Sequence, residues 1–138
     1  MLLISNIVNS TQIRFKHLDL SSEIPNVTIR TMVSDQTGYL WLGTDSGLWR
    51  YDGYTLKSYA WINGTNQRLG VKKLFVDKNS SLWVGTAKDG LFKLDSNNVE
   101  TFNTNQALKN KLKSNTITAF VEDSDGLWVG SHAGLNLI

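Results

Sequence analysis

A block of five residues recurs three times along the chain, and this repeat constrains the fold more than any other feature of the sequence. The block stands at residues 40–44 (LWLGT), 82–86 (LWVGT) and 127–131 (LWVGS), so its tryptophans lie 42 and 45 residues apart. In each copy an apolar run ending in an acidic residue precedes the block, and a Gly-Leu pair follows it. Three copies with matched flanks indicate a repeat architecture, in which each unit buries its apolar faces against its neighbours.

Each repeat is predicted to form four short antiparallel strands. Short apolar runs alternate with turn residues, mainly Gly and Asp, such as those at 35–38 and 45–47. A period of about 40–45 residues with four strands is the size of one β-propeller blade. The sequence therefore predicts an all-β partial ring of about three blades. The predicted strands are residues 29–34, 39–44, 48–51 and 55–59; 71–76, 82–86, 91–94 and 99–102; and 117–122, 127–131 and 135–137.

The chain divides into five predicted segments. Residues 1–12 form an N-terminal extension, 13–28 a leading strand and connection, 29–60 blade 1, 61–103 blade 2 and 104–138 an incomplete blade 3. Propellers have at least about four blades, so three copies can hardly close a ring. Either the chain is the N-terminal piece of a longer protein, or several copies assemble to complete a ring. The first interpretation is favoured because the third blade ends inside its third strand.

Composition excludes several classes of protein. There is no Cys, which excludes disulfides, thiolate nucleophiles and Cys-ligated zinc. A net charge of +2 gives no reason to expect nucleic acid or a membrane surface as a partner. No apolar run is long enough to span a bilayer. A hydrophobic content of 41% with 19% charged residues is typical of a folded domain rather than a disordered one.

Residues 35–53 (DQTGYLWLGTDSGLWRYDG) resemble the two-component-regulator propeller repeat, and the second and third copies match it through their LWVG blocks. That repeat builds the periplasmic sensor region of hybrid histidine kinases, and of some membrane-bound diguanylate cyclases, in Gram-negative bacteria. Residues 13–18 (IRFKHL) resemble the start of such regions, where a leading strand completes the outer edge of the last blade.

The resemblance implies the N-terminal part of an extracytoplasmic, ligand-sensing propeller in a bacterial two-component-type signalling protein. It implies a periplasmic location, as part of a membrane-anchored sensor, and a small ligand derived from carbohydrate. The expected partners are that ligand and further propeller blades or other copies of the chain. A structural module that mediates oligomerisation without binding a small molecule is the alternative, and a propeller lyase or hydrolase is a weaker one.

The residues give little support for catalysis or for a metal. Neither His17 nor His132 has a nucleophile in a recognisable motif, and most acidic residues fall in turns that the repeat itself explains. Asp77, Asn79 and Ser81 are spaced like the first ligands of a calcium loop, but Leu stands at the sixth position, where Gly is required. We therefore predict a non-enzymatic protein without a cofactor or a bound metal.

Propellers commonly bind ligands on one face, which is formed by the connections into each inner strand and by the hairpins between the second and third strands. An exposed aromatic ring in such a connection can stack on a sugar while nearby amides and cations bind its hydroxyls. The alternatives are that Trp61 packs across a blade edge and that the lysines at 109, 111 and 113 are simply solvated. The predicted ligand-binding residues are Trp61, Asn63, Asn66, Arg68, Lys88, Lys113 and His132.

Overall fold

A computed structural model describes residues 13–20, 22–24, 28–59, 62, 68–96, 98–105 and 111–138. These residues form three antiparallel sheets, in which strands that follow one another along the chain are hydrogen-bonded neighbours. The first sheet contains β1 (Ile29–Ser34), β2 (Leu40–Thr44), β3 (Gly47–Tyr51) and β4 (Leu56–Ser58). The second contains β5 (Val71–Val76), β6 (Leu82–Thr86), β7 (Leu91–Asp95) and β8 (Asn98–Phe102); the third contains β9 (Ile117–Glu122), β10 (Leu127–Ser131) and β11 (Gly134–Leu137).

The all-β prediction is confirmed, and the sheets have the order expected of propeller blades. The strands differ from those predicted mainly at their ends, and the largest difference is at β4. Asp52 accepts hydrogen bonds from the amides of Tyr54 (2.8 Å) and Thr55 (2.7 Å), so this turn occupies the first residue assigned to the strand. Strand β4 therefore begins one residue later, at Leu56.

Neighbouring sheets approach each other at the glycine of the repeated block. A Cβ atom on Gly43 would lie 2.5 Å from a methyl carbon of Val71, which begins the second sheet. A Cβ atom on Gly85 would lie 2.6 Å from Ile117 Cγ2, which begins the third. Only glycine, which has no Cβ atom, fits at these two positions. The close packing between blades therefore explains the glycine of the repeated block.

The hydrophobic core lies between the sheets and consists of two clusters. Trp41 and Trp83 fill the two interfaces and are only 8% and 4% exposed. The cluster between the first and second sheets includes Trp41, Leu48, Val71, Leu74, Leu82, Val84, Phe92 and Leu94. The cluster between the second and third sheets includes Trp83, Leu91, Leu112, Ile117, Leu127 and Val129.

The free face of the third sheet is apolar. Val121, Leu135 and Leu137 are 60%, 59% and 46% exposed. A Cβ atom on Gly130 would meet only Ala119 and Thr118 of its own sheet, at 3.2 Å each. In the described part of the chain, no further sheet packs here as the third sheet packs on the second.

Residues 13–20 do not form the predicted leading strand. Ile13 and Phe15 are 80% and 96% exposed, and these eight residues belong to none of the three sheets. The carbonyl of Leu20 accepts hydrogen bonds from the amides of Glu23 and Ile24, which forms a turn. A strand requires a hydrogen-bonded partner, and the resemblance assigns that partner to the last blade of a ring, so the closure itself stays a prediction.

Candidate ligand-binding sites

The hairpin tips and the segments entering the inner strands meet at one end of the blades, which we call the tip face (residues 45–46, 68–70, 87–89, 111–116 and 132–133). The amide of Ala87 donates to the carbonyl of Gly70 (2.9 Å), and that of His132 donates to the carbonyl of Thr116 (3.1 Å). The Thr116 hydroxyl donates to the carbonyl of Ala87 at 2.8 Å and joins two blades. The tip face is therefore a hydrogen-bonded surface rather than a set of independent loops.

Four of the predicted binding residues belong to this face. Lys88 and His132 occupy hairpin tips, Arg68 and Lys113 stand in the entering segments, and all four are exposed. Asn115 fixes the segment after Lys113, because its side chain accepts from the amide of Thr104 and its carbonyl accepts from the amide of Gly90. The other three predicted residues, Trp61, Asn63 and Asn66, lie outside the described residues.

In the hairpin tip of the first blade, the charge of Asp45 is neutralised by Arg30. Arg30 donates three hydrogen bonds to the Asp45 carboxylate, at 2.7 to 3.0 Å, in a bidentate ion pair. These hydrogen bonds from Arg30, with its positive charge, lower the pKa of Asp45. Lys88 and His132 take the corresponding position in the other two tips.

Each blade holds an Asp–Trp pair in the turn at its opposite end. In the second blade the Asp77 carboxylate accepts from the amides of Asn79 (2.9 Å) and Ser81 (2.8 Å) and from Trp83 Nε1 (2.8 Å). The Asp35–Trp41 and Asp123–Trp128 pairs repeat the side-chain bond at 2.7 and 2.8 Å. The spacing of five or six residues between the acidic residue and the tryptophan is the sequence signal for these pairs.

The hydrogen bonds of this turn give a structural reason for the calcium-like spacing of Asp77, Asn79 and Ser81. The Asp77 oxygens accept hydrogen bonds from the turn and from an indole, so the carboxylate is occupied by donors of its own blade. Among the residues that the structure describes, no group of three or more His, Cys, Asp or Glu side chains could hold a metal ion. Within the same ranges, no helix is long and apolar enough to cross a membrane.

A cavity of about 790 Å³ opens between the first and second sheets, at the end opposite the tip face. We call it the base cavity. Its lining includes the turn at 35–37, Ser80, Ser96 and side chains of β2, β3, β6, β7 and β8. Its charged lining residues are Asp35, Arg50 and Asp95. The sequence alone does not indicate this cavity, because it lies between two sheets and at the end opposite the predicted binding face.

Arg50 is held in the base cavity by aromatic rings. Its guanidinium carbon lies 4.1 Å from the centre of the Tyr39 ring, 5.5 Å from that of Tyr59 and 5.8 Å from that of Trp41. Strand pairing places Arg50 directly opposite Trp41. A hairpin turn at residues 44–47 implies that Arg50 lies opposite Trp41. The contact between Arg50 and an aromatic ring could therefore be predicted from the sequence.

The comparisons with known proteins identify the repeat. The two component regulator propeller family model matches residues 23–46 and 111–133. A curated protein, histidine kinase P4 of Formosa agariphila, is 30% identical over 84 residues, which cover 55% of this chain and 6% of the relative. Residues 23–46 and 111–133 therefore match the two component regulator propeller repeat, in agreement with the resemblance.

Solved structures share the fold at low sequence identity. The extracellular domain of the hybrid two component system BT4673 from B. thetaiotaomicron matches with a TM-score of 0.65 and 22% identity, over 81% of this chain and 15% of that one. PorZ, a surface component of the type-IX secretion system of Porphyromonas gingivalis, matches with a TM-score of 0.59 and 22% identity, over 80% of this chain and 17% of that one. The chain thus spans about a sixth or less of each relative.

Proposed function

We propose that this chain is the N-terminal part of an extracytoplasmic propeller domain that senses a ligand for a bacterial two-component-type signalling protein. The observation that carries the proposal is the match to the regulator propeller repeat in two separate copies, at residues 23–46 and 111–133. The family described by this model is one of sensor propellers rather than enzymes, which supports a binding role over a catalytic one. A periplasmic location, as part of a membrane-anchored sensor, belongs to the same proposal.

The ligand proposed for the tip face is derived from carbohydrate. Arg68, Lys88, Lys113 and His132 are exposed there and supply donors for hydroxyl or acidic groups. In this proposal Trp61 stacks on the sugar, and Asn63 and Asn66, which follow it in the sequence, bind the hydroxyls. Occupation of this face would displace the domain relative to the membrane and pass the change to a signalling domain.

A second candidate function is a structural propeller module that binds other protein surfaces and no small molecule. The exposed apolar face of the third sheet, with Val121, Leu135 and Leu137, supports it, because such a face is suited to a further blade or to another copy of the chain. The fold shared with PorZ, a secretion-system surface component, is compatible with this role.

Titration with a panel of oligosaccharides, followed by amide NMR shifts, separates the two candidates. If the chain is a sensor, an oligosaccharide should shift the tip-face amides saturably. Its affinity should fall at least tenfold in the R68Q/K113Q variant, whose melting temperature should be unchanged. K57Q, a cation exposed on strand β4, is the matched control and should bind as the wild type does. If no sugar shifts any tip-face amide while sedimentation shows a concentration-dependent oligomer, the structural module is favoured instead.

A further inference from the structure

We infer that the base cavity is a second binding site, which takes a small molecule carrying a carboxylate, such as a sugar acid. This site lies at the opposite end of the blades from the tip face and does not depend on the function proposed there. Three observations carry the inference: a cation without an acidic partner, the absence of that arrangement in the other blades, and the shape and chemistry of the cavity walls.

Arg50 supplies the cation. Its guanidinium is stacked on Tyr39 at 4.1 Å, yet its side chain forms no hydrogen bond or ion pair with the residues that the structure describes. A stacked guanidinium loses freedom of movement while its N–H donors stay at the edge of its plane. Arg50 is therefore positioned to offer a bidentate donor pair, which is the geometry that a carboxylate accepts best.

Neither acid of the cavity forms an ion pair with Arg50 in the described part of the chain. The Asp35 carboxylate accepts from the Thr37 amide and hydroxyl, from the Tyr39 amide and from Trp41 Nε1. Asp95 is paired with Lys93, whose ammonium nitrogen lies 3.5 Å from the carboxylate. Arg50 therefore remains the group of the cavity with the greatest unused capacity to donate hydrogen bonds.

The other blades show that Arg50 is not required by the fold. The residue opposite the repeated tryptophan is Lys93 in the second sheet and Leu137 in the third. Lys93 also lies over its tryptophan, 5.6 Å from the Trp83 ring, but its charge is met by Asp95. Packing against the tryptophan thus accepts lysine or leucine. Within the described ranges, an arginine without an ion pair stands opposite the tryptophan in the first sheet alone.

The cavity walls suit a small, polar ligand. A volume of about 790 Å³ lies within the usual range of small-molecule pockets. Leu82, Leu94 and Val99 provide apolar wall, while Ser96 and Asn98 provide hydroxyl and amide groups at the rim. A sugar acid places its carboxylate on Arg50, its apolar ring face on the wall and its hydroxyls at the rim.

Amide NMR titrations with D-glucuronate and, separately, D-glucose test this site. We expect glucuronate to shift the amides of Tyr39, Ser96 and Asn98 saturably, with an affinity at least tenfold above that of glucose. R50Q should weaken glucuronate binding at least tenfold, and R50K should weaken it less, since lysine keeps the charge and loses the bidentate donors. K73Q, which removes an exposed cation of β5 outside the base cavity, is the control and should leave these shifts unchanged.

The wild-type titration alone can overturn the inference, so the test does not depend on the folding of a variant. Shifts confined to the tip face, or equal affinities for glucuronate and glucose, would contradict it. A folded R50Q protein that binds glucuronate as the wild type does would also contradict it. Failure of oligosaccharides to bind the tip face would count against the proposed function and would leave this result unaffected.

Discussion

At the scale of single residues, the Asp–Trp pair links the turn to the hydrophobic core in the first two blades. One carboxylate oxygen of Asp77 orders the turn amides and the other holds the indole of Trp83, which is 4% exposed. A buried indole N–H without an acceptor is costly, and so are turn amides without one. The acidic residue that ends each apolar run therefore has a structural role that explains its repetition.

Replacement of Asp77 by alanine should destabilise the protein by about 1–3 kcal/mol, because it leaves the Trp83 N–H and the turn amides without their acceptor. Urea unfolding measures the change. Asp125→Ala, at an exposed turn position of the third blade, is the control and should change stability by less than about 0.5 kcal/mol. In a double-mutant cycle with Trp83→Phe, additive costs would show that the pair does not interact.

The protein should become less stable as the pH is lowered through the acidic range. Amide hydrogen bonds from Thr55 and Tyr54 lower the pKa of Asp52 to about 2. Amide and indole hydrogen bonds, first that of Asp125, lower the pKa of Asp123. Burial raises the pKa of Asp35, but hydrogen bonds from Thr37, Trp41 and Tyr39 outweigh it, so this pKa is lowered as well.

Because these pKa values are lower in the folded protein, each carboxylate stabilises it fully at a pH above the unfolded pKa of about 4. This stabilisation is lost as the pH falls toward the pKa of the folded protein. The melting temperature should therefore fall between pH 5 and pH 2.5. Asp52→Asn keeps one acceptor oxygen and removes the titration, so the fall should be smaller in this variant. Equal falls in the two proteins would show that Asp52 does not contribute.

At the scale of the elements, the glycine of the repeated block sets the distance between sheets. Gly85→Ala would place a methyl group within 2.6 to 2.8 Å of two Ile117 side-chain carbons and force the second and third sheets apart. We expect a loss of about 1–3 kcal/mol, typical of overpacking, in chemical denaturation.

Gly130→Ala is the matched control for that substitution. Its methyl group would meet Ala119 and Thr118 at 3.2 Å within its own sheet and no neighbouring blade, so the loss should be clearly smaller. Equal losses for the two alanine variants would mean that contact between blades does not explain the glycine.

The strands were predictable from the sequence because their periodicity and turn chemistry are local. Strands β1, β5, β6, β9 and β10 have the predicted bounds. The base cavity was harder to predict, since it depends on how two sheets face each other: Asp95 and Ser96 of the second blade line the same cavity as Arg50 of the first. For the leading segment at 13–20, the resemblance indicated a strand, but a strand also needs a partner sheet.

At the scale of the whole molecule, each blade is stabilised by the neighbouring sheets that pack on its faces. The second sheet is covered on both sides, since its residues contribute to both core clusters. The third is covered on one side, and its other face exposes Val121 and Leu135 at 60% and 59%. This difference in burial should produce a gradient of local stability along the chain.

Native-state amide hydrogen exchange measures that gradient most directly. We expect the amides of β6 and β7, in the sheet covered on both faces, to be the most protected, and those of β10 and β11 to exchange at least tenfold faster. Exchange of β6 and β7 as fast as that of β10 and β11 would contradict the claim that covered faces stabilise the blades.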